Sequence, residues 1–267
     1  RARVALVAAL GLALAALWLT GGFAQEAEMA QRGEEKQAMA RVCRWYGGKQ
    51  AAISLRFDDA HPTHIECAAP MLNEFGFVGT FLVNPGNPNY QERRAAWEEV
   101  VRQGHELGDH TFRHRGARTD QEAEEEIGAA AEAIREIQES PYLLSFLGGG
   151  ATLWLQRKPI AFFRAKYDLF SPPAAAVRVN QMSCSEQYPW FSVAAFVDML
   201  ERTIAEGGWM QPHFHPVGEG HLWISPAVFR QLLEEIRARE DRLWQAGISA
   251  IYQYDQARAA SHVWSWA

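Results

Sequence analysis

The sequence is poor in cysteine and carries no excess of positive charge. Its 267 residues include three cysteines, Cys43, Cys67 and Cys184, and no Cys-x-x-Cys pair, so a sulfur-ligated zinc site is not supported. Three cysteines fit either one disulfide with one free thiol or three free thiols. The formal net charge of −6 gives no reason to expect a nucleic acid as a partner.

The chain also lacks an apolar run that spans a bilayer comfortably, which takes about 20 residues. The run over residues 4–19 follows two arginines and precedes the small residues Gly22 and Ala24. This order of basic, apolar and small residues predicts a secretory signal peptide over residues 1–24, cleaved after Ala24. The mature protein would then be exported, to a bacterial periplasm or outside the cell, without a stable membrane span. An uncleaved anchor is the alternative.

Residues 25–42 are rich in Glu, Gln, Ala and Arg and show little apolar periodicity, which predicts a linker or an N-terminal helix over residues 25–48. Beyond them, apolar runs of strand length alternate with segments of helical pattern from residue 51 to residue 252. This alternation predicts an α/β fold with a parallel sheet, and seven or eight such units are enough to close a barrel. We therefore expect one domain over residues 49–267.

Turn residues and helix caps between the runs set the expected boundaries. The predicted strands cover residues 51–57, 79–83, 105–108, 142–147, 167–170, 176–179, 209–214 and 248–252. The predicted helices cover residues 65–75, 91–103, 119–140, 159–166, 192–206 and 225–244.

Acidic and imidazole side chains follow three of the predicted strands. Asp58 and Asp59 follow the first strand, His110 and His114 the third, and His215 the seventh. The C-terminal ends of barrel strands meet at one face of the fold, where catalysis occurs in such proteins. One carboxylate and two imidazoles form a facial set of ligands that leaves positions open for water and substrate, as in a catalytic metal centre.

Such a centre has the groups needed to hydrolyse an amide or an ester. Bound Zn²⁺ lowers the pKa of water to about 7 and polarises a carbonyl oxygen. A second carboxylate beside the metal can take the proton of the water, and a histidine across the cleft can protonate the leaving group. These residues therefore predict a metal-dependent hydrolase.

Three segments carry a resemblance to a known family. Ser54–Asp59 is similar to a Thr-Phe-Asp-Asp motif, with Arg56 where threonine is usual, and His110–His114 fits a His-Ser/Thr-x-x-His motif. Residues 209–218 are similar to the last motif of the same family. The chain thus resembles the NodB-homology polysaccharide deacetylases of carbohydrate esterase family 4. The resemblance implies an α/β fold built as a distorted (β/α)7-8 barrel of the glycoside hydrolase and deacetylase type.

The resemblance also assigns roles to the candidate residues. It implies that Asp58 is the catalytic base and that His215 is the general acid. It implies that Asp59, His110 and His114 bind a divalent metal ion, with Zn²⁺ as the preferred ion. The predicted domain would then be catalytic and would remove N- or O-acetyl groups from an acetylated carbohydrate, as a hydrolase of carbon–nitrogen bonds other than peptide bonds.

Other histidines lie near these positions in the sequence. His213 and His215 share one face of their strand, so the choice of His215 as the acid comes from the resemblance and not from strand geometry. We expect His61 and His64 to be loop residues at the rim of the cleft. We expect His105 to be structural, because it sits a strand's length below the metal ligands.

One motif of the family is missing. The resemblance implies an arginine near residues 142–150 that orients the catalytic aspartate, and that segment contains no arginine. Arg56 and Arg164 are the arginines to examine for a contact with Asp58 instead. Two alternatives therefore stay open: a catalytically impaired carbohydrate-binding or scaffold protein on the same barrel, and a hydrolase of a non-sugar C–N amide bond.

Overall fold

The structure, a computed structural model, describes residues 42–140, 143–149, 158–171 and 177–261. Within this part of the chain, one compact unit extends from Cys43 to Ala260. A second unit comprises residues 1–42 and 261–267. Nearly all of that unit, including the predicted signal peptide, lies outside the described residues.

The compact unit includes residues that precede position 49, the predicted start of the domain. Trp45 is fully buried, and its indole Nε1 donates a hydrogen bond to the carbonyl oxygen of Gly207 at 3.1 Å. The indole therefore packs into the core of the domain rather than belonging to a solvated linker.

The described residues form nine short strands, and all their ladders are parallel. The strands are β1 (Ala51–Ile53), β2 (Leu55–Asp58), β3 (Gly79–Val83), β4 (Glu106–Asp109), β5 (Leu144–Ser145), β6 (Leu169–Phe170), β7 (Val179–Ser183), β8 (Trp209–Phe214) and β9 (Leu243–Gln245).

A seven-stranded parallel sheet is centred on β8. This strand lies between β7 on one side and the consecutive strands β1 and β2 on the other. β3 pairs with β2, β4 pairs with β3, and β9 pairs with β1. β5 and β6 form a separate two-stranded sheet, joined to β4 by an isolated bridge between Asp109 and Phe146. The predicted α/β class with a parallel sheet is confirmed, and the break into two sheets is the distortion of the barrel.

Helices connect the strands. They are α1 (Ala69–Phe75), α2 (Pro88–Gln91), α3 (Arg94–Arg102), α4 (Asp120–Ala123), α5 (Ala129–Arg135), α6 (Ile160–Lys166), α7 (Val193–Glu206), α8 (Pro226–Arg237) and α9 (Ile248–Ala260). Single π-helical turns, His64–Ala68 and Glu124–Gly128, lead into α1 and α5. In the described part of the chain, no helix combines the length and apolar character needed to cross a membrane.

Capping residues predicted several helix boundaries correctly. Thr119 forms a capping box with Glu122, and Ser192 and Ser225 accept hydrogen bonds from the first turns of α7 and α8. Gly76 and Gly207 end α1 and α7 in the left-handed conformation that glycine adopts without strain. The side-chain hydroxyls satisfy N–H groups that a helix leaves unpaired at its start.

The C-terminal part of the domain departs from the prediction. Residues 248–252, predicted as a strand, form the first part of helix α9, and the last strand is β9. The helix predicted over residues 225–244 consequently ends at Arg237. The acidic helix predicted over residues 119–140 also ends early, at Arg135.

A buried carboxylate explains why residues 248–252 are helical. The backbone N–H groups of Ser249 and Ala250 donate to the Glu106 carboxylate at 3.0 and 3.2 Å, and that of Ile248 donates to the Thr80 hydroxyl at 2.9 Å. These contacts satisfy the unpaired N–H groups of the first turn, where a negative charge is favourable. Since Thr80 and Glu106 lie on distant strands, the short apolar run could not reveal the choice between helix and strand.

Aromatic packing on the helical side of the sheet sets the direction of the Arg56 and Asp58 side chains. Phe57 is fully buried and stacks on Phe81 and Phe214 at centroid distances of 4.8 and 5.2 Å. Burying each such ring stabilises the fold by roughly 1.5–3 kcal/mol. Because side chains alternate along a strand, Arg56 and Asp58 point to the opposite face, into the barrel.

All three cysteines are free thiols. Cys43 is exposed, Cys67 is half-buried and Cys184 is buried. The sequence left open a disulfide with one free thiol, and the structure supports the second possibility, three free thiols.

Candidate metal centre

Asp59, His110 and His114 form a compact cluster of metal-ligand side chains. The Oδ1 atom of Asp59 lies 3.2 Å from Nε2 of His110 and 3.0 Å from Nε2 of His114. One donor atom from each residue falls within 4.8 Å of the other two. Asp59 follows β2 and the histidines follow β4, so two separate parts of the chain build the cluster.

The cluster fits a divalent metal ion. The Oδ1 atom of Asp59 is buried and has no hydrogen bond of acceptable geometry, although two imidazole nitrogens lie within 3.2 Å of it. Two ligands that are each about 2.1 Å from one Zn²⁺ at tetrahedral angles are roughly 3.4 Å apart, close to the separations found. The donor set of one carboxylate and two imidazoles also suits zinc.

The backbone is strained at this cluster. Asp59 has a φ of 78°, Thr111 a φ of 69° and His114 a φ of 59°. This left-handed region costs a non-glycine residue on the order of 1–3 kcal/mol and persists only where the surrounding structure imposes it. Strain of this kind concentrates at functional sites, and here two of the three residues are the proposed ligands themselves.

Contacts from neighbouring strands hold His110 in one orientation. Its Nδ1 donates to the carbonyl oxygen of Leu147 at 2.7 Å, because a carbonyl can only accept. This bond places the ring's free lone pair on Nε2, which faces Asp59. Asn84 at the end of β3 secures the backbone, since its Nδ2 donates to the carbonyl oxygens of His110 and Thr111 at 2.6 and 3.0 Å.

The segment after β5 packs directly on the two histidines at Gly149. A Cβ atom added there would lie 2.5 Å from the carbonyl oxygen of His110 and 2.5 Å from Cδ2 of His114. Only glycine permits this close approach. Sequence reasoning missed the contact, since a run of glycines indicates a turn without showing which residues approach it.

Asp58 occupies the last position of β2, beside the cluster, and is paired with Arg56. The guanidinium Nε and Nη2 of Arg56 donate to Oδ1 and Oδ2 of Asp58, both at 2.9 Å. Both side chains are buried. Arg164, the other arginine that the sequence singled out, instead lies over the ring of Phe146 at 5.7 Å.

His215 faces the cluster from the end of β8. Its Nε2 is 3.7 Å from Oδ2 of Asp59, and its backbone carbonyl oxygen is 2.8 Å from Nε2 of His64. His213, the neighbour that the sequence could not separate from His215, has its Nε2 2.9 Å from the Ser183 hydroxyl. Geometry therefore favours His215 as the histidine that reaches the ligand cluster.

The ionisation of these groups follows from their surroundings. Burial by itself would raise the pKa of the Asp59 carboxyl, but His110 and His114 beside it outweigh burial and lower this pKa. Burial would likewise raise the pKa of Asp58, and the charge of Arg56 contributes most to lowering it. Both acids are consequently ionised at neutral pH. Burial lowers the pKa of His215, which makes its protonated ring a better proton donor.

The three other histidines for which the sequence made predictions are one rim residue and two buried ones. His61 is half-buried, with Nε2 3.9 Å from Oδ2 of Asp59, in agreement with a position at the rim. The prediction for His64 was wrong, because this residue starts the π-helical turn before α1 and is fully buried. His105 is buried and accepts a hydrogen bond from the backbone N–H of Gly79 at 3.1 Å, as expected of a structural residue.

The polysaccharide deacetylase family model matches residues 46–152, a segment that contains Asp58, Asp59, His110 and His114. Residues 46–152 belong to the polysaccharide deacetylase family. His215 lies beyond the matched segment. Its assignment to the site is therefore supported by its distance from Asp59 and not by the family model. A comparison with curated proteins gives no match.

Solved structures share the fold of this chain. A protein from Mycobacterium smegmatis, described as a candidate polysaccharide deacetylase, has 19% identity and a TM-score of 0.60, with 83% of this chain and 96% of that chain covered. The peptidoglycan deacetylase PdaC of Bacillus subtilis has 16% identity and a TM-score of 0.53, with 79% and 94% covered. A family 4 acetyl xylan esterase of Clostridium thermocellum, in complex with a cobalt ion, has 15% identity and a TM-score of 0.52, with 77% and 95% covered.

Proposed function

We propose that this chain is an exported, metal-dependent hydrolase that removes acetyl groups from a carbohydrate. The observation that carries the proposal is the convergence of Asp59, His110 and His114 around one position, with Asp58 and His215 beside them. Four of these five residues lie in the segment that matches the deacetylase family. The proposed domain for this activity is residues 49–267, and the proposed export rests on the N-terminal pattern of the sequence.

The ligand set would hold a divalent ion, with Zn²⁺ as the first choice. A divalent ion bound there would lower the pKa of water, and its positive charge would stabilise the developing oxyanion. Asp58 has the role of general base, since it is ionised and lies next to the ligand Asp59. His215 has the role of general acid and protonates the departing amine or alkoxide.

An acetylated carbohydrate is the substrate class that the surroundings of the site support. The loops after β7 and β8 carry aromatic side chains, and flat aromatic faces pack well against the apolar face of a sugar ring. Tyr188 and Trp190 stack at 4.6 Å, and Trp190 is 63% exposed. Two structural neighbours are named a peptidoglycan deacetylase and an acetyl xylan esterase, which supports an acetyl group on a carbohydrate as the target.

The test is acetate release from a panel of N- and O-acetylated glycans by protein with measured metal content, with and without a chelator. We expect chelator-sensitive release, restored by Zn²⁺. Asp58→Asn should keep the bound metal and lose turnover by roughly 100-fold or more, the usual worth of a general base. Unchanged turnover in Asp58→Asn would sink the assignment.

A second candidate, a binding or scaffold protein with impaired catalysis, is favoured by one observation. Residues 143–149 contain no arginine, although the family resemblance implies one near there. This candidate predicts that the protein binds metal and glycans but releases no acetate from any member of the panel. Chelator-sensitive cleavage of small amides without release from any glycan would instead indicate a non-sugar amide hydrolase.

A further inference from the structure

Arg56 and Asp58, on the same strand, form a buried bidentate ion pair. They occupy positions two apart on β2, so both side chains point into the barrel. Nε and Nη2 of the guanidinium each donate to a different carboxylate oxygen at 2.9 Å. The side chains are only 7% and 6% exposed, so bulk water does not screen the pair.

This geometry fixes the carboxylate while leaving it able to accept a proton. Two parallel hydrogen bonds from a rigid guanidinium define both the position and the plane of the Asp58 carboxylate, which a lysine ammonium could not do. A carboxylate has about four lone-pair sites, and the pair uses two of them. The remaining sites stay available for the proton of an attacking water.

The surroundings keep Arg56 in this position. Its backbone lies opposite His213 in the ladder between β2 and β8. A cavity of about 10 Å³, lined in part by Leu82, Gln181 and Gln211, lies beside it. This volume accommodates at most one water molecule, so little space is left next to the guanidinium.

We propose that Arg56 is the positioning residue for the catalytic base Asp58. The chain would thus supply from β2 itself the arginine that residues 143–149 do not provide. The inference rests on the proposed function, in which Asp58 takes the proton of the attacking water. Without the guanidinium, the carboxylate would be buried beside a second carboxylate, Asp59, with no fixed orientation toward the substrate.

The experiment compares two variants. Arg56→Lys keeps the positive charge but cannot form the two parallel hydrogen bonds, and Arg56→Gln loses both the charge and these hydrogen bonds. Arg239→Lys is the control, because Arg239 is a partly buried arginine that pairs with Glu201 and Glu235 and lies outside the site. Three quantities are measured: kcat and KM for acetate release, bound zinc per chain, and the Asp58 conformation in a crystal structure of metal-free Arg56→Gln.

We expect kcat to fall roughly tenfold in Arg56→Lys and roughly 100-fold or more in Arg56→Gln, as for loss of an oriented base. KM should stay within about threefold and zinc content should not change, because the metal ligands are untouched. In Arg56→Gln, the Asp58 carboxylate should rotate out of the plane that it has in the wild type. Asp59 and the two histidines should still superpose on the wild-type structure. Arg239→Lys should match the wild type.

Three results would overturn the proposal. The first is an active wild type with unchanged kcat in both Arg56 variants, and the second is a carboxylate that keeps its conformation in Arg56→Gln. The third is an increased kcat in either variant, since the pair would then be restraining the base. A wild type that binds zinc but releases no acetate refutes the proposed function, and the crystal structure still decides whether Arg56 positions Asp58. If Arg56→Gln does not fold, the same structural comparison is made with Arg56→Lys.

Discussion

The Nε2 atom of His64 and the backbone carbonyl oxygen of His215 are joined by a hydrogen bond of 2.8 Å. His64 is fully buried, and burial lowers its pKa to about 3. The ring is therefore neutral at working pH, and its Nε2–H is the donor because a carbonyl only accepts. This bond ties the loop that carries the proposed general acid to the start of the first helical segment.

Replacement of His64 should affect catalysis through the position of His215. His64→Leu removes the donor and leaves a buried carbonyl unpaired, which costs about 1–3 kcal/mol of stability. We expect kcat for acetate release to fall about tenfold or more because His215 shifts, with unchanged zinc content. His64→Gln retains a donor and should recover part of the activity. Equal kcat values for His64→Leu and wild type would contradict this role.

Zinc binding should depend on the three ligands and not on the rim histidine. Asp59→Asn and His114→Ala each remove a ligand, and we expect zinc affinity to fall on the order of 100-fold or more. His61→Ala is the control, since His61 lies 3.9 Å from the other oxygen of Asp59 and should bind zinc within about threefold of the wild type. Titration with a competing chelator measures all three. Wild-type affinity in Asp59→Asn would show that the ion binds elsewhere.

Gly149 should control the geometry of the centre without contacting the ion. In Gly149→Ala, the new methyl group would collide with the ring of His114 and the carbonyl of His110. We expect zinc affinity to fall about tenfold. Gly208→Ala, whose Cβ would lie 3.0 Å from the carbonyl oxygen of Arg178 at the opposite end of β8, should lose stability but not affinity. A similar loss of affinity in both variants would argue against a local effect.

Glu106 should stabilise the fold by holding the start of α9. Glu106→Gln replaces one accepting oxygen by an amide group that cannot accept, and leaves a buried backbone N–H of Ser249 or Ala250 unpaired. We expect the free energy of unfolding to fall by about 1–3 kcal/mol and the amide protons of α9 to exchange faster. The exposed Glu234 provides the control Glu234→Gln, with a change of about 0.5 kcal/mol or less. Unfolding by urea and hydrogen exchange measure these effects.

The stability of the domain should fall in mild acid partly because of His105. Burial lowers the pKa of His105 from 6.5 to about 4, so the unfolded chain takes up a proton first as the pH falls. The stability contributed by the neutral ring is present above about pH 6.5 and is lost as the pH falls toward 4. From pH 7 to pH 5, we expect the wild type to lose about 2 kcal/mol more than His105→Gln. Parallel urea curves at the two pH values test this difference.

Local signals in the sequence determined the elements whose ends carry caps or glycines. The strands Gly79–Val83 and Trp209–Phe214 match the predictions residue by residue, and the helix Val193–Glu206 starts one residue after its predicted start. In each, a turn, a serine cap or a left-handed glycine lies next to the element, and such signals act within a few residues. The spacing of His110 and His114 and the adjacent Asp58 and Asp59 also predicted the candidate site, and the structure brings Asp59 and the two histidines together.

Only the tertiary structure decided the features that depend on distant contacts. Residues 248–252 are helical because Thr80 and Glu106, on two other strands, accept the N–H groups of their first turn. His64 is a buried support for His215 rather than a rim residue, since the helical turn at its position faces the core.

The contact between Arg56 and Asp58, the proposed catalytic base, shows the same division. From the sequence, Arg56 was a departure from a motif and one of two arginines to examine. Side chains alternate along β2, and Phe57 packs in the aromatic core on one face of the strand. Arg56 and Asp58 therefore both point into the barrel, where the guanidinium makes two hydrogen bonds of 2.9 Å to the carboxylate. Residue types and spacing thus determined which groups this protein brings to its site. Long-range packing, which no local pattern encodes, decided how each group is held there.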